Sequence, residues 1–461
     1  MLRLILLVAA ILVAGYSALW FFSGPTTLAW ETPPTVIGPN TALAVNARSS
    51  FGIARVRARL QQGANNCTVF DKETGLGRWT FFKRKAAPER VAISAPVTAC
   101  PQIAEGPAHL TVEVSAADPR RRSDSLSAPV RVARKSAFIH TSPEPHYTVH
   151  TGPSVVKYVV GGDWVAAGVR VGKYRFRPFP LPGTEAGPGR DSQLVSFFTV
   201  PWDADPEEPV QVYVQASDGR ELTATLRMVI ERRAFRERKI KLTQRLLRRV
   251  VGDILGGNDK SDPVAQFKKI NSEVRVANNK RLLEVSRQTA GRVLWSGAFA
   301  QLPKSAVEGQ FADTRIYMFE DEKVDQQIHL GIDLASTRNS EVPAANSGRV
   351  LLAERLGIYG NCVMIDHGLG VQTIYAHLSR IDVQPGADIQ AGQTVGLSGM
   401  TGLAGGDHLH FTMLIDGVET SPVRLLERNW IARNISPVVA IAGLEKPTAP
   451  ARDTRRRGRR R

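Results

Sequence analysis

The sequence predicts a multidomain, mainly β protein with an N-terminal transmembrane helix and a C-terminal antiparallel β-sheet domain. Three patterns support this prediction. An uncharged apolar run long enough to cross a bilayer occupies residues 4–22. Between residues 30 and 232, apolar and polar residues alternate in short segments, as in strands with one buried face. Residues 233–292 show helical periodicity instead, and strands with glycine-rich turns follow them.

Length and composition are those of a folded protein with several domains. The chain has 461 residues, which suggests about three domains. Hydrophobic residues make up 43% of the chain and charged residues 22%, and this balance argues against disorder along the whole chain.

The N-terminal apolar run, Leu4 to Phe22, is predicted to be a transmembrane signal anchor covering residues 1–23. Arg3 precedes the run, and no Lys or Arg occurs from Gly24 to Ala47. The positive-inside rule then places the N-terminus in the cytoplasm and the rest of the chain outside it. A cleaved signal peptide is the alternative, disfavoured by the length of the run and by Tyr16, which spoils a small-residue cleavage site.

The C-terminal end carries part of the net charge of +17. From Lys446 to Arg461 there are eight Lys or Arg residues against one Asp, and no apolar face. We therefore interpret residues 441–461 as a disordered basic tail. Such a tail is either a solvated end or a contact for a polyanion. Because the chain is predicted to be exported, nucleic acid is disfavoured as this polyanion. The predicted partner is then an anionic envelope or membrane surface, contacted by the tail and by the basic helices predicted within residues 233–292.

Three cysteines fit an exported protein whose fold does not depend on many disulfides. Cys67 and Cys100 lie in one β-rich segment and could pair, but the sequence leaves this open. Cys362 lies in an apolar strand and is predicted to be a buried thiol.

Two β modules are predicted at residues 30–135 and 136–232. In "LTVEVSA", starting at Leu110, apolar side chains alternate with Thr, Glu and Ser. The end of the second segment repeats the order found in the first, namely an alternating strand, an Ala-Asp or Ala-Ser-Asp turn and a last strand. We interpret the pair as a weak internal repeat of two Ig-like β-sandwich modules. A role as spacers is favoured over binding, since neither segment has a ligand-like cluster.

Residues 233–292 are predicted to be a basic helical connector. Two helices are indicated, the second with Asp262 as N-cap and Pro263 at its first position. The apolar residues of the two predicted stripes are Leu242, Leu246, Val250 and Ile254, then Val264, Phe267, Ile270, Val274 and Ala277. A packed connector is the favoured interpretation, and a plug that controls the next domain is the alternative.

The last predicted domain, residues 293–440, contains five of the nine histidines. "HLGID" places His329 four residues before Asp333, which alone is weak evidence for a metal site. "HLH" is more informative, because His408 and His410 project from the same face of a strand. "YAHL" adds His377 on an apolar strand. Each histidine alone favours a structural role, but the set favours a metal site.

These segments resemble the lysostaphin/LytM-type zinc metallopeptidases, which cut the peptide part of bacterial peptidoglycan. The resemblance covers roughly residues 295–434 and rests on "HLGID", "YGNCVMIDHGLGVQTIYAHLS" and "VQPGADIQAGQTVGLSGMTGLAGGDHLHF". It implies that His329, Asp333 and His410 bind one Zn²⁺. It also implies that His377 and His408 are catalytic residues outside the ligand set, one as base and one as oxyanion donor, without saying which is which.

The resemblance and the predicted N-terminal anchor together predict a membrane-anchored zinc metalloendopeptidase that hydrolyses peptidoglycan crosslinks through a metal-activated water. Zinc with three protein ligands keeps a fourth position for that water and lowers its pKa. The C-terminal domains would then lie in the periplasm or cell wall space. One alternative is a silent or autoinhibited regulator that binds the cell wall or wall-synthesis and wall-hydrolase proteins. Another is a structural spacer that grips the anionic wall. The bond cleaved and any need for an activator stay open.

Overall fold

A computed structural model describes residues 2–22, 24–73, 88–117, 120–187, 190–256 and 262–443. It is mainly β, and the antiparallel sheet of its C-terminal domain is the largest sheet among these residues. Most of the predicted basic tail, residues 444–461, lies outside the description.

The first helix, α1, runs from Leu2 to Phe22. Among the α1 side chains that the structure describes, eight large apolar ones are exposed: Ile5, Leu6, Leu7, Val8, Ile11, Val13, Trp20 and Phe21. Over the described residues, none of the helices meets the combined length and hydropathy expected of a membrane span. The transmembrane anchor therefore stays a prediction.

A β-sandwich follows α1. Its strands are β1 (Thr27–Trp30), β2 (Val36–Ile37), β3 (Ala42–Arg48), β4 (Ile53–Gln62), β5 (Asn65–Glu73), β6 (Glu89–Ser94), β7 (Gly106–Ala116) and β8 (Ser123–Val132). Three strands pair in the order β1-β3-β6 and five in the order β2-β8-β7-β4-β5. Leu60 and Leu110 of the larger sheet share a core with Val45 and Ile93 of the smaller one. Cys67 and Cys100 form a disulfide, which the sequence left open.

A second β unit has two four-stranded sheets. Its strands are β9 (Phe138–Thr141), β10 (His146–Val149), β11 (Pro153–Gly161), β12 (Trp164–Val171), β13 (Tyr174–Phe176), β14 (Phe179–Pro180), β15 (Ser192–Thr199), β16 (Gln211–Ala216), β17 (Glu221–Thr225) and β18 (Met228–Glu231). The sheet orders are β14-β15-β11-β9 and β13-β12-β16-β17, and β10 pairs with β18. The core of this unit is continuous with that of the C-terminal domain.

The predicted connector contains β19 (Glu237–Lys241), α2 (Gln244–Leu255), α3 (Pro263–Lys269), a π-helical turn (Ile270–Val274) and α4 (Arg275–Ser286). Asp262 caps α3 and Pro263 begins it, as predicted. An entirely helical connector, however, is wrong, because β19 pairs in parallel with a strand of the C-terminal domain, from Glu237 opposite Thr314 onwards. "ERKIK" has one apolar residue, so only this pairing makes it a strand.

The apolar stripe predicted for the second helix ends early. Phe267 and Ile270 are buried, but Ala277 is exposed. The π-helical turn adds a residue to one turn of the helix and rotates all that follows. The buried apolar positions of α4 are Leu282 and Val285, which pack on one face of the C-terminal sheet.

The C-terminal domain is built on one eight-stranded sheet with the order β20-β23-β31-β27-β26-β25-β29, in which β32 also pairs with β31. Its elements are β20 (Ala306–Gly309), β21 (Asp313–Phe319), β22 (Glu322–His329), β23 (Ile332–Ala335), β24 (Glu341–Pro343), β25 (Gly348–Arg355), β26 (Asn361–Asp366), β27 (Val371–Leu378), β28 (Arg380–Ile381), β29 (Asp388–Ile389), β30 (Thr394–Leu397), β31 (Leu409–Ile415), β32 (Val418–Thr420), α5 (Val423–Leu426) and α6 (Arg428–Asn434). Every pairing within this sheet is antiparallel. Two short sheets, β19-β21-β22 and β24-β30-β28, flank it.

Strands β27 and β31 lie at the centre and are buried along their whole length. One face of the sheet packs on the core shared with the second β unit, and the other packs on α4. Such double burial holds the backbone of both strands rigidly, which suits them to position reacting groups.

Candidate metal centre and active site

Three side chains converge where β22, β23 and β31 meet. Asp333 of β23 is the direct cross-strand partner of His410 on β31, and His329 ends β22. His329 Nε2 lies 3.0 Å from Asp333 Oδ1 and 3.0 Å from His410 Nδ1, and His410 Nδ1 lies 3.1 Å from the same oxygen. Ligand atoms about 2.0–2.2 Å from a tetrahedral zinc are separated by roughly 3.3–3.5 Å. The three atoms therefore fit a zinc ion after a small expansion.

The second nitrogen of each histidine is held by another group. His329 Nδ1 donates to the carbonyl oxygen of Gln310 at 2.9 Å. The Thr412 hydroxyl donates to Leu330 O at 2.9 Å and so accepts from His410 Nε2, also at 2.9 Å. These bonds leave lone pairs on His329 Nε2 and His410 Nδ1, the atoms that face Asp333. Such outer hydrogen bonds fix tautomers in metal sites.

The electrostatics of the cluster favour an anionic carboxylate at Asp333. Burial alone would raise the pKa of Asp333, but the charge and hydrogen bonds of the surrounding histidines hold it well below its usual range. Burial lowers the pKa of His410 to about 4. The other Asp333 oxygen, Oδ2, forms an ion pair with Arg315 of β21, which leaves Oδ1 facing the histidines. A carboxylate and two neutral imidazoles are a common zinc-binding donor set.

The glycine of "HLGID" makes room for this packing. A Cβ on Gly331 would lie 2.5 Å from His410 Cε1, 2.6 Å from His410 Nε2 and 2.6 Å from Thr412 Oγ1. These distances are far below van der Waals contact, so no larger residue fits here without displacing the His410 ring.

His377 and His408 lie beside the cluster, with their ring centroids 4.9 Å apart. His377 Nδ1 donates to Thr401 O at 2.8 Å, and His408 Nδ1 donates to Gly406 O at 2.9 Å. Each ring therefore directs Nε2 away from its backbone partner, and His408 Nε2 lies 3.4 Å from Asp333 Oδ1. His377 has a φ of 64°, a left-handed conformation that is uncommon for non-glycine residues.

The two rings differ in electrostatic environment. Burial, with His408 and His410 nearby, holds the pKa of His377 well below its usual range. Burial would also lower the pKa of His408, but the hydrogen bond and charge of Asp333 outweigh it and raise that pKa. Leu409, between His408 and His410, is buried in the core.

Two cavities open beside the cluster. The larger, of about 430 Å³, is lined by His329, His377 and His410 and by more distant groups that include Trp202, Arg275 and Glu419. The smaller, of about 270 Å³, is lined by Asp333 and His408 and by Leu242, Leu246 and Val250 of the connector. Arg315, Tyr317 and Leu403 border both cavities. Between them the two cavities are lined by all five predicted site residues, and we call this pair of adjoining cavities the groove.

The connector holds the loop at one edge of the groove. Arg249 of α2 donates to Met400 O at 2.9 Å and also to Ala404 O. Asp253, one turn later, accepts from the Gly402 N–H and forms an ion pair with Arg355. This loop also carries Thr401, the backbone partner of His377, so the connector is joined through the loop to His377.

Several groups of the site were not predicted. Arg315 and Tyr317 come from β21, which has no histidine or cysteine to mark it. Thr412 had a usable signal, because it follows His410 by two residues on the same strand face. His367 is buried between Ser347 O at 2.7 Å and Thr373 Oγ1 at 2.8 Å, away from the groove. Cys362 is buried and unpaired.

Comparison with known proteins gives a family for this part of the chain. Residues 327–422 match the model described as Peptidase family M23. Over 97 residues the chain is 40% identical to DD-carboxypeptidase/endopeptidase Mpg of Neisseria meningitidis serogroup B, covering 21% of this chain and 22% of that protein. Over 101 residues it is 37% identical to Peptidoglycan DD-endopeptidase ShyA of Vibrio cholerae serotype O1, covering 22% and 23%. The matches thus span about a fifth of each relative.

A crystal structure of a putative peptidase M23 from Pseudomonas aeruginosa resembles a larger part of the chain. It covers 61% of this chain and 95% of that one, with 18% identity and a TM-score of 0.35.

Proposed function

Since residues 327–422 form a domain of Peptidase family M23, we propose that this protein is a zinc metalloendopeptidase that hydrolyses peptide crosslinks of bacterial peptidoglycan. The observation that carries the proposal is the triangle of His329 Nε2, Asp333 Oδ1 and His410 Nδ1, with sides of 3.0–3.1 Å. His377 and His408 lie beside it, and each bonds to the backbone through Nδ1 and not through Nε2.

His329, Asp333 and His410 would hold the zinc ion. When bound, the metal supplies Lewis acidity that polarises a scissile carbonyl and lowers the pKa of water. Arg315 keeps Asp333 Oδ2 occupied and so presents Oδ1 to the metal side. Gln310 O and Thr412 Oγ1 hold the two histidine rings in the ligating tautomer.

His377 and His408 would carry the proton transfers. Each donates through Nδ1 to a backbone carbonyl, so Nε2 is the atom available to reacting groups. One ring accepts a proton from the attacking water, and the other donates a hydrogen bond to the oxyanion that develops on the scissile carbonyl. Backbone partners on both rings reduce the reorganisation needed when charge develops.

The proposed substrate is the crosslinking peptide between glycan strands. Two relatives carry "DD-endopeptidase" or "DD-carboxypeptidase/endopeptidase" in their names, which favours a crosslink of that class. His329, His377 and His410 line one cavity of this groove, and Asp333 and His408 line the other. An extended peptide laid along this groove would place one bond beside both His377 and His408.

The proposed location is the cytoplasmic membrane, with α1 as a single-pass anchor and the later domains in the periplasm or cell wall space. The exposed apolar side chains of α1 favour this proposal, because such a surface needs an apolar partner. The basic tail would contact the anionic envelope. A wall-association test, in which binding weakens as salt rises, addresses this contact separately from catalysis.

An autoinhibited regulator of wall-synthesis or wall-hydrolase proteins is a second candidate. One observation favours it: Leu242, Leu246 and Val250 of the connector form a wall of the smaller cavity, next to His408. A partner that moved α2 would widen that side of the groove. Arg249→Ala should then raise turnover of a crosslinked substrate, whereas an unregulated enzyme would show unchanged or lower turnover.

The test of the metallopeptidase proposal is metal content paired with activity. We expect the full-length protein, purified in detergent and dialysed against zinc, to hold one zinc ion per chain by elemental mass spectrometry. His410→Ala should hold less than one ion, and His408→Ala should keep the ion but lose hydrolysis. Absence of stoichiometric zinc in the unmutated protein would overturn the proposal.

A further inference from the structure

The larger cavity is not made by the metallopeptidase domain alone. Trp202 reaches it from the second β unit, and Arg275 and Asn279 reach it from α4 of the connector. Glu419 of β32 lines it as well. Groups outside residues 327–422 therefore contribute to the surface that a peptide would contact on one side of the metal cluster.

Arg275 brings an uncompensated positive charge to this cavity. Arg315, the other arginine of the cavity, is paired with Asp333. Within the described part of the chain, no carboxylate lies within ion-pair distance of Arg275, and its Nε is buried without a hydrogen-bond partner. A half-buried guanidinium with unused donors favours an anionic ligand, because hydrogen bonds to a charged acceptor are stronger than those to a neutral one.

The Arg275 side chain is held in place. Its guanidinium donates to the side-chain oxygen of Asn271, which is 1% exposed. Asn271 in turn donates to Asp325 Oδ2 at 2.6 Å, and Gln327 donates to Asn271 O at 3.2 Å. The π-helical turn just before Arg275 makes the Arg275 N–H donate to Ile270 O, five residues earlier. Such turns are frequent at functional sites, and here the turn fixes where Arg275 points.

Glu419 is the carboxyl group among the residues that line this cavity. It has no ion-pair partner among the described residues, and burial, with Asp203 adding to the effect, raises its pKa. A raised pKa shifts Glu419 toward its neutral form, so Arg275 is the group that attracts a carboxylate in the cavity.

We infer that Arg275 is a specificity-determining residue that binds a carboxylate of the substrate peptide within the cavity beside the metal cluster. This inference rests on the proposed function and adds to it that the connector supplies a substrate contact. Arginine suits the role because its planar fork can bind both oxygens of a carboxylate.

The test compares two forms of one probe. The probe is a soluble crosslinked disaccharide-peptide dimer, either with its free carboxylates or with those carboxylates converted to carboxamides. Binding is measured by calorimetry with full-length, zinc-loaded His408→Ala protein, so that no turnover occurs. The same background then receives Arg275→Gln, which keeps a hydrogen-bonding side chain, or the matched control Arg281→Gln on the exposed side of α4.

We expect the carboxylate form to bind about 10- to 100-fold more tightly than the carboxamide form. Arg275→Gln should weaken binding of the carboxylate form only and so remove the difference in affinity between the two forms. Arg281→Gln should preserve that difference. With His408 intact, Arg275→Gln should raise KM for the carboxylate form more than it lowers kcat. Zinc content and melting temperature report whether the variants stay folded.

The outcomes separate this inference from the proposed function. If the protein binds and cleaves both probe forms equally, or if Arg275→Gln keeps the preference for carboxylate, the inference is wrong and the metallopeptidase proposal stands. If the protein neither binds nor cleaves either form while it holds zinc, the proposed substrate is wrong and the inference falls with it.

Discussion

Gly331→Ala should disable the metal centre although it replaces none of the proposed metal ligands. The added Cβ would sit 2.5–2.6 Å from the His410 ring and from Thr412 Oγ1, where about 3.4 Å or more is normal. The ring must therefore move by roughly 1 Å, which is large beside the 3.0–3.1 Å sides of the ligand triangle. Loss of such supporting packing typically lowers metal affinity about 10- to 100-fold.

The assay is competition for zinc between the full-length protein and a chelator of known affinity. Gly405→Ala is the matched control, because a Cβ there would meet nothing within 4 Å. We expect Gly331→Ala to release zinc at chelator concentrations that leave Gly405→Ala loaded. Equal zinc affinity in the two variants would refute the geometric reasoning, since His410 would then not need its present position.

Three further predictions concern stability and reactivity. Burial lowers the pKa of His367 from 6.5 to about 4, so the free energy of unfolding should fall by about 3 kcal/mol as pH falls from 6.5 toward 4. In urea denaturation, His367→Gln should flatten the dependence of the unfolding free energy on pH over this range, and an unchanged dependence would contradict this reasoning. Asp416→Asn removes the charge partner of Arg177, which joins the second β unit to the C-terminal sheet. The free energy of unfolding should fall by about 1–2 kcal/mol, because the arginine is partly solvated, and a change below about 0.5 kcal/mol in urea titrations would show the pair to be unimportant. Burial raises the pKa of the Cys362 thiol, so a thiol reagent should label it only after unfolding, and rapid labelling of the native protein would place it at the surface instead.

Part of the arrangement of the candidate site could be predicted because local sequence carries its geometry. His408 and His410 share a strand face through the alternation of side chains, and Gly331 separates two ligands within one short segment. Their convergence is different, because His329 and His410 are 81 residues apart and meet only through the pairing of β23 with β31. The family resemblance supplied that convergence, whereas spacing alone did not.

The connector shows where sequence patterns gave too little information. β19 has one apolar residue and becomes a strand only through its pairing with β21. The spacing of hydrophobic residues in the sequence does not reveal the π-helical turn. The turn becomes evident only in the structure, where the buried face of the helix shifts after Ile270. Arg275 and Arg315 were two cations among 60 Lys and Arg residues, and only their positions in the groove distinguish them.

The most direct measurement is digestion of purified peptidoglycan by the zinc-loaded full-length protein beside its His408→Ala form. The readout is the ratio of crosslinked to uncrosslinked fragments, with fragment masses identifying the bond. We expect only the unmutated protein to lower that ratio, while both forms hold one zinc ion per chain. An unchanged ratio with the unmutated, zinc-loaded protein, or an equal fall with His408→Ala, would contradict the account of a histidine-assisted metallopeptidase.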